Sequence, residues 1–209
     1  QLFYALLKAL KPTTHLMLVG DIDQLPSVGA GNVLRDVIDS GVAFVTRLDQ
    51  IFRQDDTSHI VSNAHRINQG LQPYTDNDST DFFFFNINDP DAVADMVVDI
   101  VKNRVPEKWG FDPIRDIQVI APMYRGVVGV HNLNNSLQQE LNGSFRTAEV
   151  KIKGRTFRVG DKVMQTKNNY EKEVFNGDIG YIDSIDPDNN YLEVTIDDAY
   201  VGYDFGEMD

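Results

Sequence analysis

The sequence predicts an α/β fold followed by a small β-barrel. Over residues 1–145, short apolar runs alternate with amphipathic helical segments, a pattern typical of a parallel sheet with flanking helices. From residue 146 onward, short runs of alternating polarity are separated by Gly-Asp and Asn-Gly-Asp turns, which predict several short strands. The length of 209 residues and the hydrophobic content of 42% are sufficient for a sizeable core.

The composition excludes several classes of protein. The chain has no cysteine, which excludes disulfide bonds and thiolate zinc sites. It has no apolar stretch of membrane-spanning length and no signal peptide at its start, so we expect a cytoplasmic protein with no membrane partner. The net charge of −13 argues against a broadly basic DNA-binding surface. Residues 145–180 carry eight basic and five acidic residues, so we expect any DNA path to be a local groove.

The first part of the chain predicts a strand–helix–strand unit after an N-terminal helix. Residues 1–11 place their leucines on one helical face, and Pro12 ends that helix. Strands are predicted at 15–20 and 43–48, with a helix near 31–40 between them. Such a βαβ unit is expected to be parallel and right-handed. Two strands alone make a poor sheet, and we therefore expect the remaining strands to lie upstream in a longer chain.

The rest of the chain predicts a second α/β layer and then the β-barrel. Ser58 is a candidate N-cap, as are Asp56 and Thr57, and Gly70 is a candidate helix terminator. The predicted elements of the second layer are a helix over 58–69, a polar loop over 71–81, a strand over 82–85, a helix starting at Asp89-Pro90, a strand over 117–121 and a helix over 128–142 that Gly143 stops. The predicted barrel strands are 156–159, 162–165, 180–185 and 192–196.

The stretch over residues 16–31 has the most informative pattern. It reads LMLVGDIDQLPSVGAG, an apolar strand followed by a polar, glycine-containing turn and the start of a helix. Such a turn lies at the carboxyl edge of an α/β sheet, where ligands bind. Asp21 can hold a water molecule or a metal-linked oxygen, and the Gln24 amide can both donate and accept hydrogen bonds. A second interpretation is that Asp21 only caps the turn that follows the strand.

This stretch resembles motif III of superfamily 1 DNA helicases, in the longer form of the RecD-like branch, the exodeoxyribonuclease V alpha subunit family. Further blocks resemble the same family in the same order, namely LDQIFRQ at 48–54, NAHRIN at 63–68, APMYRG at 121–126 and VFNGDIG at 174–180. The resemblance implies an α/β fold made of partial RecA-like motor domains and a small SH3-like β-barrel. These would be the end of the first motor domain over 1–50, part of the second over 51–145 and the barrel over 146–209.

The resemblance also implies a function. Members of this family are ATP-dependent DNA helicases that couple ATP hydrolysis to 5′-to-3′ movement along single-stranded DNA in recombination and repair. This implies ATP and Mg²⁺ as cofactors, single-stranded DNA as a partner, and other nuclease or helicase subunits as further partners. An alternative from another class is a non-catalytic DNA- or partner-binding module derived from a helicase.

By the same resemblance, four residues belong to the nucleotide site. Gln24 would sense the γ-phosphate or the attacking water, with Asp21 beside it. Arg53 lies where the second motor domain begins and can act as an arginine finger, which contributes about 10³–10⁵ in rate in phosphoryl transfer. Gln54 is a further candidate for the same cleft. For Arg53 the alternative is a surface salt bridge to Asp49, Asp55 or Asp56.

Two segments are implied in DNA binding. The first is the run Pro122, Met123, Tyr124, Arg125 and Gly126. In this run Arg125 offers a phosphate contact, Tyr124 a face for a base or sugar, and Gly126 a close approach of the backbone. The second consists of polar residues in the barrel loops, Asn168, Asn169 and Asn176. Two alternatives stay open, namely that Tyr124 packs on a neighbour and that Asn176 only shapes a hairpin turn.

Some motifs of the family do not occur in the 209 residues. There is no GxxxxGK[ST] phosphate-binding loop, and the Asp-Glu pair that holds Mg²⁺ in the family is expected to precede Gln1. We therefore expect an internal fragment of a helicase that does not hydrolyse ATP alone and carries no bound cofactor. No metal site is predicted, because His65 has no second ligand at metal-binding spacing. An incomplete first domain is expected to expose apolar surface and to self-associate.

Overall fold

The computed structural model describes residues 1–24, 31–48, 58–143 and 148–208. The chain divides into two compact units, Gln1–Phe85 and Asn86–Asp209. The three domains predicted over 1–50, 51–145 and 146–209 stay a prediction. Over the described ranges, none of the helices combines the length and the apolar composition that crossing a bilayer requires.

The first unit contains the helices α1 (Leu2–Ala9), α2 (Val33–Asp39) and α3 (His59–Asn68). Each of them lies where the sequence predicts a helix. The N-cap of α3 is Ser58, whose side-chain oxygen accepts a hydrogen bond from the Val61 N–H at 3.3 Å. The C-cap is Gln69, and Gly70 follows it. The predicted start and end of α3 are thereby confirmed.

A buried amide fastens the loop over 71–81 to α3. Asn63 is only 1% exposed, and its amide forms two hydrogen bonds with the backbone of Tyr74. Nδ2 donates to the Tyr74 carbonyl oxygen at 3.0 Å, and Oδ1 accepts from the Tyr74 N–H at 2.6 Å. Arg66 adds a bond from Nε to the Gln72 carbonyl oxygen at 2.7 Å. These bonds give backbone groups of Gln72 and Tyr74 partners on the helix, in a loop that has no regular secondary structure.

The parallel sheet predicted from the sequence is not formed by the described residues. Residues 15–20, 43–48, 82–85 and 117–121 are predicted strands, yet the structure gives them no strand pairing. Val19 is 85% exposed and Ile120 is 90% exposed. A buried parallel strand needs hydrogen-bonding neighbours on its sides, and the described parts of the chain provide none at these positions. Apolar runs alone are therefore not sufficient to form the predicted sheet.

The second unit begins with helices. They are α4 (Pro90–Asp99), a π-helical turn (Ile100–Arg104), α5 (Val105–Trp109) and α6 (Val130–Asn142). The predicted N-cap of α4 is confirmed, because the Asp89 carboxylate accepts a hydrogen bond from the Ala92 N–H at 3.2 Å. The predicted end of α6 at Gly143 is also confirmed. α4 contacts α6, and the buried apolar residues of this part are Ala94, Val101 and Leu133.

Antiparallel strands in two sheets follow α6. β1 (Glu149–Ile152) pairs with β2 (Arg155–Arg158), and the second sheet has the order β3-β4-β5-β6. Its strands are β3 (Lys162–Met164), β4 (Ile179–Asp186), β5 (Tyr191–Ile196) and β6 (Ala199–Asp204), and a 3₁₀ turn over Phe205–Glu207 follows them. The predicted runs correspond to β2, β3, β4 and β5, whereas β1 and β6 are additional strands.

The core of the second unit packs against the four-stranded sheet. β5 alternates in burial, with Leu192, Val194 and Ile196 inside, which is the period of two that a half-buried strand requires. The same cluster contains Val174, Ile182, Val201 and Tyr203. The predicted SH3-like barrel is not confirmed as a closed structure. In the described residues β1 and β2 pair only with each other, and barrel closure needs the edge strands to find partners.

Asp161 joins α6 to the strands. Its carboxylate accepts hydrogen bonds from Gln138 Nε2 at 2.6 Å and from Asn142 Nδ2 at 2.8 Å, both on α6. It also accepts one from the Arg158 N–H at 2.7 Å. The Asp161 carbonyl oxygen accepts a further bond from the Ile182 N–H on β4 at 3.0 Å. A single residue between β2 and β3 thus holds the helix, the preceding strand and β4.

Replacing Asp161 by alanine tests this joint. Asp161→Ala removes a charged acceptor that three donors share, and hydrogen bonds to charged groups contribute about 1.5–3 kcal/mol. We expect the free energy of unfolding to fall by at least about 1.5 kcal/mol, measured by urea denaturation followed by circular dichroism. The matched control is Asp188→Ala, in the exposed turn between β4 and β5, with an expected change within about 0.5 kcal/mol. Equal stability of the two variants would contradict the role given to Asp161.

Candidate functional site

The predicted residues Asp21 and Gln24 lie in one exposed turn of the first unit. The Asp21 carboxylate accepts hydrogen bonds from the Asp23 N–H at 2.9 Å and from Gln24 Nε2 at 3.2 Å. Arg35 on α2 donates from its guanidinium to the Ile22 carbonyl oxygen at 3.1 Å, which connects the turn to the helix. Asp21 therefore caps its own turn, as one of the two interpretations of the sequence has it, and the same contact orients the Gln24 amide.

These two side chains do not by themselves fit a nucleotide with its metal ion. An exposed carboxylate and an amide that bond to each other supply neither a cradle of N–H groups nor a cation for phosphates. The 209 residues contain no glycine-rich phosphate-binding loop. Arg53 and Gln54, the other predicted residues of this site, lie outside the described residues. Within the described ranges, no group of three or more His, Cys, Asp or Glu residues is placed to hold a metal ion.

The predicted residues 122–126 form a turn at the beginning of α6. The Met123 carbonyl oxygen accepts a hydrogen bond from the Val130 N–H at 2.8 Å. The turn passes close to Gly129, where an added Cβ would lie 2.5 Å from the Arg125 backbone. Only glycine fits there, because real Cβ atoms do not approach backbone atoms so closely. Gly129 is not among the predicted residues, and its only signal in the sequence is the Gly-Val-Val-Gly run that it ends.

The side chains of this turn are exposed. Tyr124 is 74% exposed, and its ring centroid lies 6.2 Å from that of His131 on α6. Met123 and Arg125 are also exposed. A ring and a guanidinium on one fixed turn can contact an extended, negatively charged ligand. The structure brings Tyr124 and Arg125 together, and their role in DNA binding stays a prediction.

The predicted residues Asn168, Asn169 and Asn176 lie in one loop between β3 and β4, residues 165–178, which we call the β3–β4 loop. Asn169 and Val174 form a backbone bridge with N–O distances of 2.8 and 3.1 Å. The Asn168 side-chain oxygen accepts from the Asn176 N–H at 2.9 Å. The Asn169 side-chain oxygen accepts from two backbone N–H groups of the loop, both at 3.1 Å. All three residues therefore help to shape the loop that carries them.

Hydrogen bonds connect the β3–β4 loop to the last strand and to the 3₁₀ turn after it. Lys172 Nζ donates to the Gly202 carbonyl oxygen at 2.7 Å and to the Glu207 carboxylate oxygens at 2.7 and 2.6 Å. The Tyr203 hydroxyl donates to Gln165 Oε1 at 3.0 Å. Lys172 is not among the residues predicted from the sequence. No local pattern indicates its contacts, because its partners lie 30 and 35 positions further along the chain.

The surroundings of Glu207 and Tyr203 shift the pKa values of these two side chains. The hydrogen bond from Lys172 holds the pKa of Glu207 below its ordinary value, and a backbone hydrogen bond from Asp204 acts in the same direction. Burial raises the pKa of the Tyr203 hydroxyl, and the charges of Glu207 and Asp178 raise it further. At neutral pH Glu207 is therefore charged and Tyr203 is protonated, which are the forms that their hydrogen bonds require.

Comparison with known proteins finds two family models and several relatives that match this sequence. A family described as AAA domain matches residues 1–81, and the family of the ATP-dependent RecD-like DNA helicase SH3 domain matches residues 133–196. The ATP-dependent RecD2 DNA helicase of Deinococcus radiodurans is 33% identical over 204 residues, which cover 93% of this chain and 26% of that protein. The chain is similar to this RecD-like helicase over nearly its whole length. The second family match contains most of α6 and β1 to β5, so the parts that Asp161 joins lie within it.

A second relative is also similar over most of this chain. The RecBCD enzyme subunit RecD of Buchnera aphidicola subsp. Acyrthosiphon pisum is 22% identical over 221 residues, which cover 84% of this chain and 37% of that protein. The chain thus spans 26% and 37% of the length of the two curated relatives. The family match supports the SH3-like region predicted for the last part of the chain, although the described strands form no closed barrel.

The pH dependence of stability tests the contact between Lys172 and Glu207. Because the folded-state pKa of Glu207 is lowered, the ion pair stabilises the fold above the ordinary value of 4.5. This stabilisation is lost as the pH falls through the lower folded-state pKa. We expect Glu207→Gln to have a lower melting temperature than the unmodified chain at about pH 7, and the difference to shrink below about pH 4. Thermal unfolding followed by circular dichroism measures both.

The control for this experiment is Glu171→Gln. It removes the same charge from an exposed position in the β3–β4 loop itself, and Lys172 keeps its partner. We expect its melting temperature to stay near that of the unmodified chain across the pH range. A Glu207→Gln difference that does not change with pH would show that the Glu207 charge does not stabilise the loop.

Proposed function

We propose that this chain is part of an ATP-dependent DNA helicase that moves 5′ to 3′ along single-stranded DNA in recombination and repair. The observation that carries the proposal is the exposed turn 122–126, which holds Tyr124 and Arg125 at the beginning of α6 in a RecD-like chain. An arginine next to an aromatic ring offers a phosphate contact and a base or sugar contact from one rigid turn.

In this proposal the DNA contacts come from two segments of the second unit. Around Tyr124 and Arg125, the contacts extend to Pro122, Met123 and Gly126. The β3–β4 loop contributes Asn168, Asn169 and Asn176. Asn168 and Asn176 are exposed, and Asn169 is partly buried, which supports direct contact for the first two and a positioning role for Asn169. Side-chain amides can bond both to phosphate oxygens and to base edges.

We further propose that Gln24, Arg53 and Gln54 face ATP and its Mg²⁺ in the longer protein, with Asp21 orienting Gln24. The hydrogen bond between Asp21 and Gln24 supports this part, because an amide held in one orientation can distinguish a donor from an acceptor. The phosphate cradle and the metal ligands would come from residues outside this sequence. The 209 residues alone are not expected to hydrolyse ATP.

The exposed apolar segments support a place within a larger protein. Met17 is 83% exposed, and the apolar runs 15–20 and 43–48 are unpaired in the described residues. We propose that they become strands of RecA-like motor domains when the rest of the sheet is present, in a cytoplasmic enzyme. Other nuclease or helicase subunits are proposed as further partners. Self-association of the isolated chain stays a prediction.

The salt dependence of DNA binding tests the role of Arg125. We expect the chain to bind a fluorescein-labelled oligo-dT at low salt, measured by anisotropy. Arg125→Ala removes one phosphate contact, so the slope of log affinity against log salt concentration should fall in magnitude by about 0.7. The control is Arg104→Ala, which makes the same change in net charge on a residue paired with Asp99. Equal slopes for the two variants would remove Arg125 from the DNA-contact residues.

The role of Arg53 needs a longer protein that contains these residues. In it, we expect Arg53→Ala to lower the DNA-stimulated ATPase rate by about 10³-fold or more, with nearly unchanged DNA affinity. A phosphate-release assay measures the rate, and Arg47→Ala, at an exposed position of the first unit, is the control. An unchanged rate would exclude Arg53 from the mechanism. Absence of ATPase in the unmodified longer protein would instead favour the non-catalytic DNA- or partner-binding module.

A further inference from the structure

The β3–β4 loop presents a pair of aromatic rings that none of the predicted roles uses. Tyr170 is 76% exposed and Phe175 is 45% exposed. Their ring centroids lie 5.9 Å apart with an angle of 77° between the ring planes, an edge-to-face arrangement. At the base of the loop, Met164 and Ile179 face each other across β3 and β4 and are also exposed. Exposed aromatic rings on a loop offer flat apolar faces that a ligand can contact.

The loop holds this aromatic pair in a defined position. Asn168 connects its two sides, since its Oδ1 accepts from the Asn176 N–H and its Nδ2 donates to the Tyr170 hydroxyl at 3.4 Å. The Phe175 N–H donates to the Asp178 carboxylate at 2.7 Å. Fixed rings lose little conformational entropy when a ligand binds, which makes an exposed pair an effective contact.

The buried side of the loop adds to this rigidity. Val174, next to Phe175, is 3% exposed and belongs to the core of the unit. Lys172, two residues after Tyr170, is fastened to Gly202 and Glu207. Both aromatic residues therefore flank positions that the fold holds in place.

The charges of the loop favour an uncharged, planar ligand group over a phosphate. The loop contains two lysines and three acidic residues, Lys167, Lys172, Glu171, Glu173 and Asp178. Lys172 is paired with Glu207, at 2.6 Å. A phosphate would meet a net negative surrounding, whereas the face of a nucleobase stacks on an aromatic ring without needing a cation.

We propose that Tyr170, supported edge-on by Phe175, stacks on one unpaired nucleobase of single-stranded DNA. This inference rests on the proposed function and adds a base contact to it. The amides of Asn168 and Asn176 are exposed in the same loop and can bond to the edge of the stacked base. Because every base has a π face, such a contact does not depend on sequence.

An oligonucleotide without bases separates stacking from phosphate contacts. We compare anisotropy titrations of labelled oligo-dT and of an abasic oligonucleotide of equal length. Tyr170→Ala is expected to weaken binding of oligo-dT by about 5- to 150-fold, the range for one stacked base. Binding of the abasic strand and the salt slope should not change, because no phosphate contact is removed. Tyr170→Phe keeps the ring and loses only the 3.4 Å hydrogen bond from Asn168, so it should bind oligo-dT much more tightly than Tyr170→Ala.

The control is Tyr200→Ala, which removes a ring of similar exposure, 73%, from β6. If the unmodified chain binds oligo-dT and Tyr170→Ala behaves like Tyr200→Ala, the inference is overturned and the proposed function stands. Equal weakening for both oligonucleotides also overturns it, because the ring would then act on phosphates or on the fold. If the unmodified chain binds neither strand at low salt, the DNA contacts proposed for the chain fail together with the inference.

Discussion

The second unit depends on the hydrogen bonds that converge on Asp161. Its carboxylate is bound by two amides of α6 and one backbone N–H before β3, and its carbonyl oxygen is bound from β4. An apolar interface tolerates small shifts, because its energy depends on area, whereas several hydrogen bonds to one carboxylate require a fixed geometry. The turn 122–126 is bonded to the other end of α6. Asp161 therefore sets the position of the strands relative to that turn.

Two polar contacts fix the geometry of the β3–β4 loop, as the bonds of Asp161 fix that of α6 and the strands. The buried apolar cluster around β5 stabilises the sheet, and Val174 is the loop residue that belongs to this cluster. The conformation of the exposed residues depends instead on the Asn169 bridge and on the Lys172–Glu207 pair. Neither contact is expected to contribute as much stability as the core. What they contribute is geometry, which a candidate recognition loop requires more than stability.

The sequence predicts correctly what depends on neighbouring residues. The caps at Ser58 and Asp89, the end of α6 and the runs of β2 to β5 all follow from local patterns, and the structure confirms them. The parallel strands do not form in the described residues because strand formation needs a partner that no local pattern supplies. β1 and β6 are not predicted from the sequence. β1 is short and contains two charged residues, and a glycine interrupts the pattern of β6. The roles of Asp161 and Lys172 are not predicted for the same reason as the sheet, because the partners of Asp161 on α6 and those of Lys172 are distant in sequence.

The two candidate DNA contacts are chemically complementary in a strongly acidic chain. The protein chain has a net charge of −13 and therefore repels a phosphate backbone that approaches at random. Attraction for DNA has to be local. Arg125 in the turn 122–126 can supply that attraction, and the ring of Tyr170 can hold a base without adding charge. A protein that moves along a strand must release each nucleotide after binding it, and stacking is equally available with every base. A rigid, nearly uncharged contact beside a single phosphate contact meets both requirements.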